Sequence, residues 1–353
     1  MHRILLIFDL SVPALLLLVA LLLGTRPVVH GSNIEHGTWD YESRGPSTWA
    51  KSFPQYCSGR KQSPINLSLA DSLVDPKLSE YSIRETENAQ FTLTLSNDGH
   101  KLLVSMGSDL VIKIGQGDKM YYTASQLHWH WGADNSRGSE HTMEGRAYPL
   151  EGHLVFYNSY DYDNFSVAVH RVGGLAVLGV FYELSDTDNP LLLRLEPYLP
   201  QLVNFKTSVD VKFNSSDFNF VDAFLPKYRR YFYRYEGGLT TPTCNENVLW
   251  TVFRSASQVS ARQLKLLRSL RYPSGKAMVD NYRPPQPLNS PHRPGANRLV
   301  YRTFDRRGRA SGDSGFLVDV PGDTCGALGS AGGASAVALL LPAAVLSGWR
   351  AIY

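Results

Sequence analysis

The chain has 353 residues, of which 43% are hydrophobic, 19% charged and 11% aromatic. This length allows one large or two medium domains, and the spread of aromatic residues excludes intrinsic disorder for most of the chain. Lys and Arg number 35 against 32 Asp and Glu, so the net charge is only +3. Nucleic-acid binding normally requires a basic patch or stripe, so we expect no nucleic-acid partner.

The N-terminus has the pattern of a secretory signal peptide. A short basic start precedes an apolar stretch at 13–24, and small residues follow it. The stretch is shorter than the ~20 residues that span a bilayer. We therefore expect a signal peptide over residues 1–31, cleaved after Gly24 or Gly31. A retained membrane anchor is the alternative.

Strand patterns dominate the middle of the chain, which predicts one β-rich domain over residues 32–291. Alternating apolar residues at 90–96, the turn Asn97-Asp98-Gly99 and a run from Leu102 predict a hairpin. The other predicted strands cover 127–131, 153–157, 167–170, 175–182 and 248–253. The clearest helical pattern covers 260–270.

Three histidines form the most informative pattern. Residues two apart on a strand point to the same face, so His128 and His130 project side by side. His153 opens a predicted neighbouring antiparallel strand. Three neutral imidazoles on a rigid sheet supply three corners of a zinc tetrahedron and leave the fourth for water, as in catalytic zinc sites. A solvated pair of polar residues is the alternative for His128 and His130.

Two further polar residues favour the zinc site. Gln126 and Glu151 each lie two residues before a proposed ligand, on the same face of its strand. Metal-binding histidines usually donate their second N–H to such groups.

After Pro291 the chain turns basic and Gly-rich, which predicts a stalk at 292–325. Small residues from Cys325, a short spacer and a hydrophobic tail then follow the order of a glycosylphosphatidylinositol (GPI) attachment signal, removed as residues 326–353. A retained transmembrane helix is the alternative. Cys325 fits the attachment spacing best, and Ser330 and Ser314 stay open.

The three cysteines of a secreted chain predict one disulfide and one cysteine left over. Cys57 and Cys244 lie in the folded middle and Cys325 in the tail, so we pair the first two. Asn-x-Ser glycosylation sequons begin at Asn66, Asn164 and Asn214.

The chain resembles the α-class carbonic anhydrases from Thr38 to Pro284. The motifs that carry the resemblance are Gln62-Ser63-Pro64-Ile65-Asn66, His128-Trp129-His130-Trp131-Gly132, Gly138-Ser139-Glu140-His141-Thr142, Glu151-Gly152-His153-Leu154-Val155, Gly174-Leu175-Ala176-Val177-Leu178-Gly179 and Leu239-Thr240-Thr241-Pro242. The resemblance implies a mostly β domain built on a large, twisted, mainly antiparallel sheet with few peripheral helices. It also implies Zn²⁺-dependent reversible hydration of carbon dioxide to bicarbonate and a proton.

By this resemblance His128, His130 and His153 hold zinc, whose bound hydroxide attacks carbon dioxide. Thr240 accepts a hydrogen bond from that hydroxide and donates its own to Glu140.

Further roles follow from the same resemblance. His100 relays the proton, and His141 is a buried structural histidine. Tyr41 and Asn97 join Gln126 in lining the proton path or the zinc pocket. The residues implied to bind carbon dioxide or bicarbonate are Val155, Val177, Leu239, Thr240, Thr241 and Trp250.

The chain departs from the family pattern beside the proton relay. Asp98 stands where many members have Asn, and Lys101 and Leu103 replace a small and a polar residue. Lys101 is expected to crowd or electrostatically depress His100.

The disulfide and the Thr-Thr-Pro-Thr-Cys run resemble the extracellular, GPI-anchored members, so we expect the protein on the outer face of the plasma membrane. Arg229-Arg230 and Arg306-Arg307 leave open a contact with lipid or with a bicarbonate transporter. A catalytically weak or silent binding or receptor domain on the cell surface is the alternative function.

Overall fold

The computed structural model describes residues 38–306 except 79, 86–89, 108, 117–118, 215, 217 and 289–297. The predicted signal peptide, Cys325 and the GPI signal lie outside the described residues, as does most of the predicted stalk. In the described part of the chain, no helix is both long and apolar enough to cross a bilayer.

Strands make up most of the regular structure. They are β1 (Asn66–Leu67), β2 (Leu73–Val74), β3 (Ser82–Glu85), β4 (Gln90–Asn97), β5 (Leu102–Met106), β6 (Ile112–Gln116), β7 (Lys119–Trp131), β8 (Thr142–Met143), β9 (Leu150–Asn158), β10 (Leu175–Ser185), β11 (Thr207–Asn214), β12 (Phe232–Gly237), β13 (Val248–Phe253), β14 (Ser257–Ser260) and β15 (Val300–Arg302). The helices are short: α1 (Pro46–Ser52), α2 (Pro54–Cys57), α3 (Phe165–Ala168), α4 (Pro190–Leu195), a 3₁₀ helix (Glu196–Leu202), α5 (Phe220–Phe224) and α6 (Ala261–Leu267).

Thirteen of the described strands form one sheet, in the order β11-β4-β5-β7-β9-β10-β13-β12-β15-β2, with β14 beside β10, β6 beside β7 and β3 beside β6. Most neighbours are antiparallel, whereas β10 runs parallel to β13 and β14, and β15 parallel to β2. β1 and β8 form a separate parallel pair. The predicted fold class, a mostly β domain on a large, mainly antiparallel sheet, is confirmed.

Strand alternation separates the core from the candidate site along β7. Leu127, Trp129 and Trp131 point into the main hydrophobic core and are fully buried. His128 and His130 point to the opposite face. A bulge between Ala124 and Gln126 shifts the pairing with β9, so that His128 lies directly opposite His153.

The predicted hairpin, the other central strands and the helix after Ser260 are confirmed, but the strand predicted at 167–170 is wrong. That segment contains the end of helix α3, whose first turn is capped because Asn164 accepts a hydrogen bond from the Val167 N–H at 3.1 Å. The β-branched Val167 suggested a strand. Its side chain is 41% exposed, so no packing favours the extended form.

Part of the predicted stalk belongs to the sheet. Residues 298–306 are described, and β15 pairs with β12 on one side and β2 on the other. Val300 and Phe304 are buried, and the Arg302 guanidinium donates to the carbonyls of Leu69 and Phe304 at 3.2 and 2.9 Å. The folded part of the chain therefore extends past the predicted boundary at 291.

The predicted disulfide between Cys57 and Cys244 is present and closes a separation of 187 residues. Both cysteines are buried in a small cluster with Trp49. The bond joins the end of α2 to the loop that carries Thr240.

Candidate metal centre

Three histidines converge on the face of the sheet opposite the core. His128, His130 and His153 are 8%, 0% and 1% exposed, and one nitrogen of each lies within 4.8 Å of the others. Because β7 and β9 are paired in register, the backbone fixes this approach before any ligand binds.

Each imidazole is held through its other ring nitrogen. The His128 Nδ1–H donates to Gln126 Oε1 at 3.1 Å, and the His153 Nε2–H donates to Glu151 Oε1 at 2.7 Å. The His130 Nδ1–H donates to the backbone carbonyl of Asn281 at 2.7 Å. These contacts fix which nitrogen carries the proton, so the lone pairs that remain are those of His128 Nε2, His130 Nε2 and His153 Nδ1.

The donor set fits zinc. His130 Nε2 and His153 Nδ1 are buried and have no hydrogen-bond partner among the described residues, which is costly unless a ligand satisfies them. Burial, the largest cause, lowers the pKa of all three histidines and keeps them in the neutral form that binds metal. Three neutral imidazoles with one open position are the ligand set of catalytic zinc sites.

Glu151 organises the site from the middle of β9. Its Oε1 accepts from His153 and from the His141 Nδ1–H, both at 2.7 Å, and its Oε2 accepts the backbone N–H groups of Glu140 and His141 at 2.8 Å. Burial alone would raise the pKa of Glu151. The interactions with His141 and His153, each of which donates a hydrogen bond to Oε1, instead lower it below its usual value, so the carboxylate stays ionised.

A buried chain of hydrogen bonds continues from His141. Its Nε2 accepts from the Tyr235 hydroxyl at 2.6 Å, and that hydroxyl lies 3.0 Å from Ser63 Oγ. Ser63 Oγ also accepts the Gly238 N–H at 3.2 Å. Gly238 begins the loop that carries Thr240, so this loop is tied to the zinc ligands. Both ring nitrogens of His141 are therefore engaged in hydrogen bonds within the protein.

Thr240 and Glu140 meet beside the triad. Thr240 is 5% exposed and its side chain hydrogen-bonds the Glu140 carboxyl group. Glu140 Oε1 also accepts the Arg283 N–H at 2.9 Å, while Oε2 lies 3.4 Å from His130 Nε2. Burial, the largest cause, raises the pKa of Glu140 well above its usual value.

An apolar wall borders the triad. Val155, Val177 and Trp250 lie side by side on β9, β10 and β13, and each is at most 3% exposed. The Trp250 ring centroid is 4.8 Å from that of His153. Leu239, at the start of the Thr240 loop, is half-buried, as is Thr241.

His100 lies in the turn between β4 and β5 and is half-buried. Its ring stacks on Trp39 with centroids 3.9 Å apart, and its Nε2 is 3.2 Å from the Trp39 carbonyl oxygen. Burial is the largest cause that lowers its pKa. The Lys101 charge acts in the same direction, whereas Asp98 and Asp40 raise it.

Asn97, one of the residues expected to line the proton path or the zinc pocket, is buried in a network of hydrogen bonds. It is 1% exposed, and its Nδ2 donates to the carbonyls of Leu202, Val203 and Arg271, while its Oδ1 accepts the Gly99 N–H. All its polar atoms therefore hold the turn in place.

Tyr41, the other residue expected there, packs edge-to-face on Trp39 and Trp49. Its buried hydroxyl has no partner among the described residues, and burial is the main cause that raises its pKa well above the usual value.

Two residues near the C-terminal end of the domain complete the site and were not predicted. Asn281 supplies the carbonyl that holds His130, and its Nδ2 donates to the His100 carbonyl at 3.0 Å. Arg283 holds Glu140 through its backbone N–H and Gln62 through its guanidinium. Both residues lie in a segment that resembles the family, and this resemblance was the only sequence feature that could have pointed to them.

The comparisons agree with this geometry. The model of the eukaryotic-type carbonic anhydrase family matches residues 44–293. Carbonic anhydrase 7 of Mus musculus is 38% identical over 260 residues, which are 72% of this chain and 95% of that protein. Human carbonic anhydrase 12 is 37% identical over 272 residues, 74% of this chain and 72% of that protein. Human mitochondrial carbonic anhydrase 5A is 36% identical over 253 residues, which are 70% of this chain and 77% of that protein.

The chain therefore belongs to the eukaryotic-type carbonic anhydrase family. The family is zinc-dependent, and the triad of this chain has the donor set to hold the ion.

Replacing Glu151 should weaken metal binding. In Glu151→Gln the charge is lost and an amide N–H faces one of the groups that now donate to the carboxylate, so zinc affinity should fall about 10- to 100-fold. Competition with a chelating dye measures the affinity. Glu236→Gln is the matched control, since Glu236 is 71% exposed and pairs only at the surface with Lys61. Equal affinity in the two variants would contradict the role of Glu151.

Proposed function

We propose that this chain catalyses the reversible hydration of carbon dioxide to bicarbonate and a proton. The observation that carries the proposal is the buried triad, with three converging lone pairs beside Thr240, Glu140 and an apolar wall. Zinc bound there supplies Lewis acidity and lowers the pKa of bound water.

Thr240 orients the nucleophile in this proposal. Because its hydroxyl donates to Glu140, only its oxygen lone pairs face the site, and they accept a hydrogen bond from the attacking oxygen. That direction turns a lone pair of the attacking oxygen towards carbon. The Arg283 N–H on Glu140 keeps the acceptor in place.

The substrate waits against the apolar wall. Carbon dioxide has no net dipole, and Val155, Val177, Leu239 and Trp250 offer it a surface without competing hydrogen bonds. Thr241, the next hydroxyl along the loop, binds the bicarbonate product.

His100 exports the proton. Its ring lies in a turn joined to the ligand His130 through Asn281, and a neutral imidazole can take a proton and pass it to buffer. The departures at Asp98 and Lys101 tune this step, because both charges act on the His100 pKa.

The protein works at the outer cell surface in this proposal. The disulfide suits an oxidising compartment, and two of the three sequon residues, Asn164 and Asn214, are exposed. Asn66 is half-buried, and its Oδ1 accepts from the Thr142 hydroxyl and the Gly145 N–H. We therefore expect glycosylation at Asn164 and Asn214 rather than at Asn66. The lipid anchor is attached at Cys325 in this proposal.

The Arg-rich segments are the surface that would meet lipid or a bicarbonate transporter in this proposal. Arg229 already pairs with Asp222 at 2.6 Å, while Arg230 and Arg306 are exposed.

Stopped-flow hydration of carbon dioxide by the secreted domain tests the activity. The protein should show chelator-sensitive hydration with about one zinc per chain. Thr240→Ala should lose about 100-fold in kcat/KM while keeping its zinc, because the orienting contact acts on the reaction and not on the metal. Thr240→Ser, which keeps the hydroxyl, is the control. A zinc-loaded parent protein without hydration activity would instead support the silent binding domain.

The charges around His100 predict opposite shifts of its pKa. In the parent protein the His100 pKa lies below the ordinary 6.5. Removing the positive charge in Lys101→Ala should raise the His100 pKa, and removing the negative charge in Asp98→Asn should lower it. The pH at which the imidazole is half-protonated moves with it. Proton NMR titration measures these values, and shifts in the same direction for both variants would contradict the electrostatic account.

Phospholipase treatment of expressing cells tests the anchor. A phospholipase C specific for phosphatidylinositol should release the full-length protein into the medium. A chain ending at residue 325 should be secreted without treatment. Protein that stays with the cells after complete digestion of a known GPI-anchored marker would favour a transmembrane helix instead.

A further inference from the structure

Lys101 introduces a positive charge into the face of the sheet that carries the triad. It directly precedes β5, where Leu102 and Val104 point into the core. Leu103 lies opposite His128 on β7 and so shares its face. The two-residue period places Lys101 on that face as well.

The ammonium group is held close to the site and not in open solvent. The Lys101 side chain is only 15% exposed, and its Nζ lies 3.0 Å from Asp98 Oδ2. After burial, its charge is the next largest cause that lowers the pKa of His128, and it acts on His130 and His153 in the same direction.

Asp98 pairs with this ammonium through one oxygen. Its Oδ1 accepts the backbone N–H groups of His100 and Lys101 at 2.8 and 2.9 Å, so only Oδ2 is left to face the ammonium. An ammonium has three N–H donors, and Asp98 is its one acceptor in the described part of the chain.

We propose that Lys101 is a specificity-determining residue that strengthens the binding of small monoanions, bicarbonate included, at the metal centre. The proposal rests on the proposed function, and it concerns how tightly the site holds its anionic product. A cation in a cleft with low-dielectric walls concentrates anions, whereas carbon dioxide has no charge to be attracted. The consequence is a site that retains bicarbonate and admits inorganic anions more readily than one with a small neutral residue at this position.

Titration of the cobalt-substituted protein with thiocyanate, followed by visible absorption, measures anion binding without any turnover. Lys101→Gln should weaken thiocyanate binding about 10-fold, the size expected for two unit charges about 12 Å apart near a protein surface. Lys101→Arg, which keeps the charge, should bind nearly as the parent protein does.

Asp98→Asn tests the opposite change, the removal of the negative charge beside Lys101. Its amide Oδ1 can still accept the two turn N–H groups, but the counter-charge is gone, so thiocyanate should bind more tightly. Imidazole, a neutral ligand, should bind all four proteins equally.

The outcomes are distinct. Equal thiocyanate binding by the parent protein and Lys101→Gln would overturn the role of Lys101, and so would an equal loss for thiocyanate and imidazole, which would indicate a steric effect. Failure of the parent protein to take up cobalt or zinc would overturn the proposed function and this inference with it.

Discussion

The site depends on one buried carboxylate, that of Glu151. A fully buried negative charge is tolerated only when donors surround it, and Glu151 has four, two from imidazoles and two from the backbone. Each donor is thereby fixed in turn. His153 must present Nδ1 to the metal, His141 must accept from Tyr235, and the backbone of Glu140 is held where its side chain reaches Thr240. A single charge thus sets two tautomers and the position of the acid beside the metal.

The ligands of the site could be predicted from sequence because their geometry is local. His128 and His130 share a face through strand alternation, while Gln126 reaches His128 and Glu151 reaches His153, each from two residues away. Asn281 could not be found in this way, since it acts on His130 through a backbone carbonyl that every residue possesses. Asn97 is the converse case. Its place in the proton path or the zinc pocket came from the resemblance alone, which does not show that its amide donates to three backbone carbonyls.

The fold was predictable where alternation marks a half-buried strand, as in β4, and where a continuous apolar run marks a buried one, as in β10 and β13. The prediction was wrong at 167–170, where the cap from Asn164 outweighs the strand preference of valine. Strand β15, the second from the edge of the sheet, was missed because it is three residues long and lies in a basic segment. Arginine is usually exposed, whereas Arg302 is buried against backbone carbonyls, a pairing that composition does not reveal.

The long reach of these contacts has a consequence for folding. His130 donates a hydrogen bond to the carbonyl of Asn281, which lies 151 residues further along the chain. Glu140 accepts one from the backbone N–H of Arg283, which lies 143 residues further along. During synthesis the histidine strands leave the ribosome long before the segment that orients them. Topologies dominated by such distant pairings fold slowly. The contacts that orient His130 and Glu140 therefore form only after the C-terminal part of the domain has been made and docked.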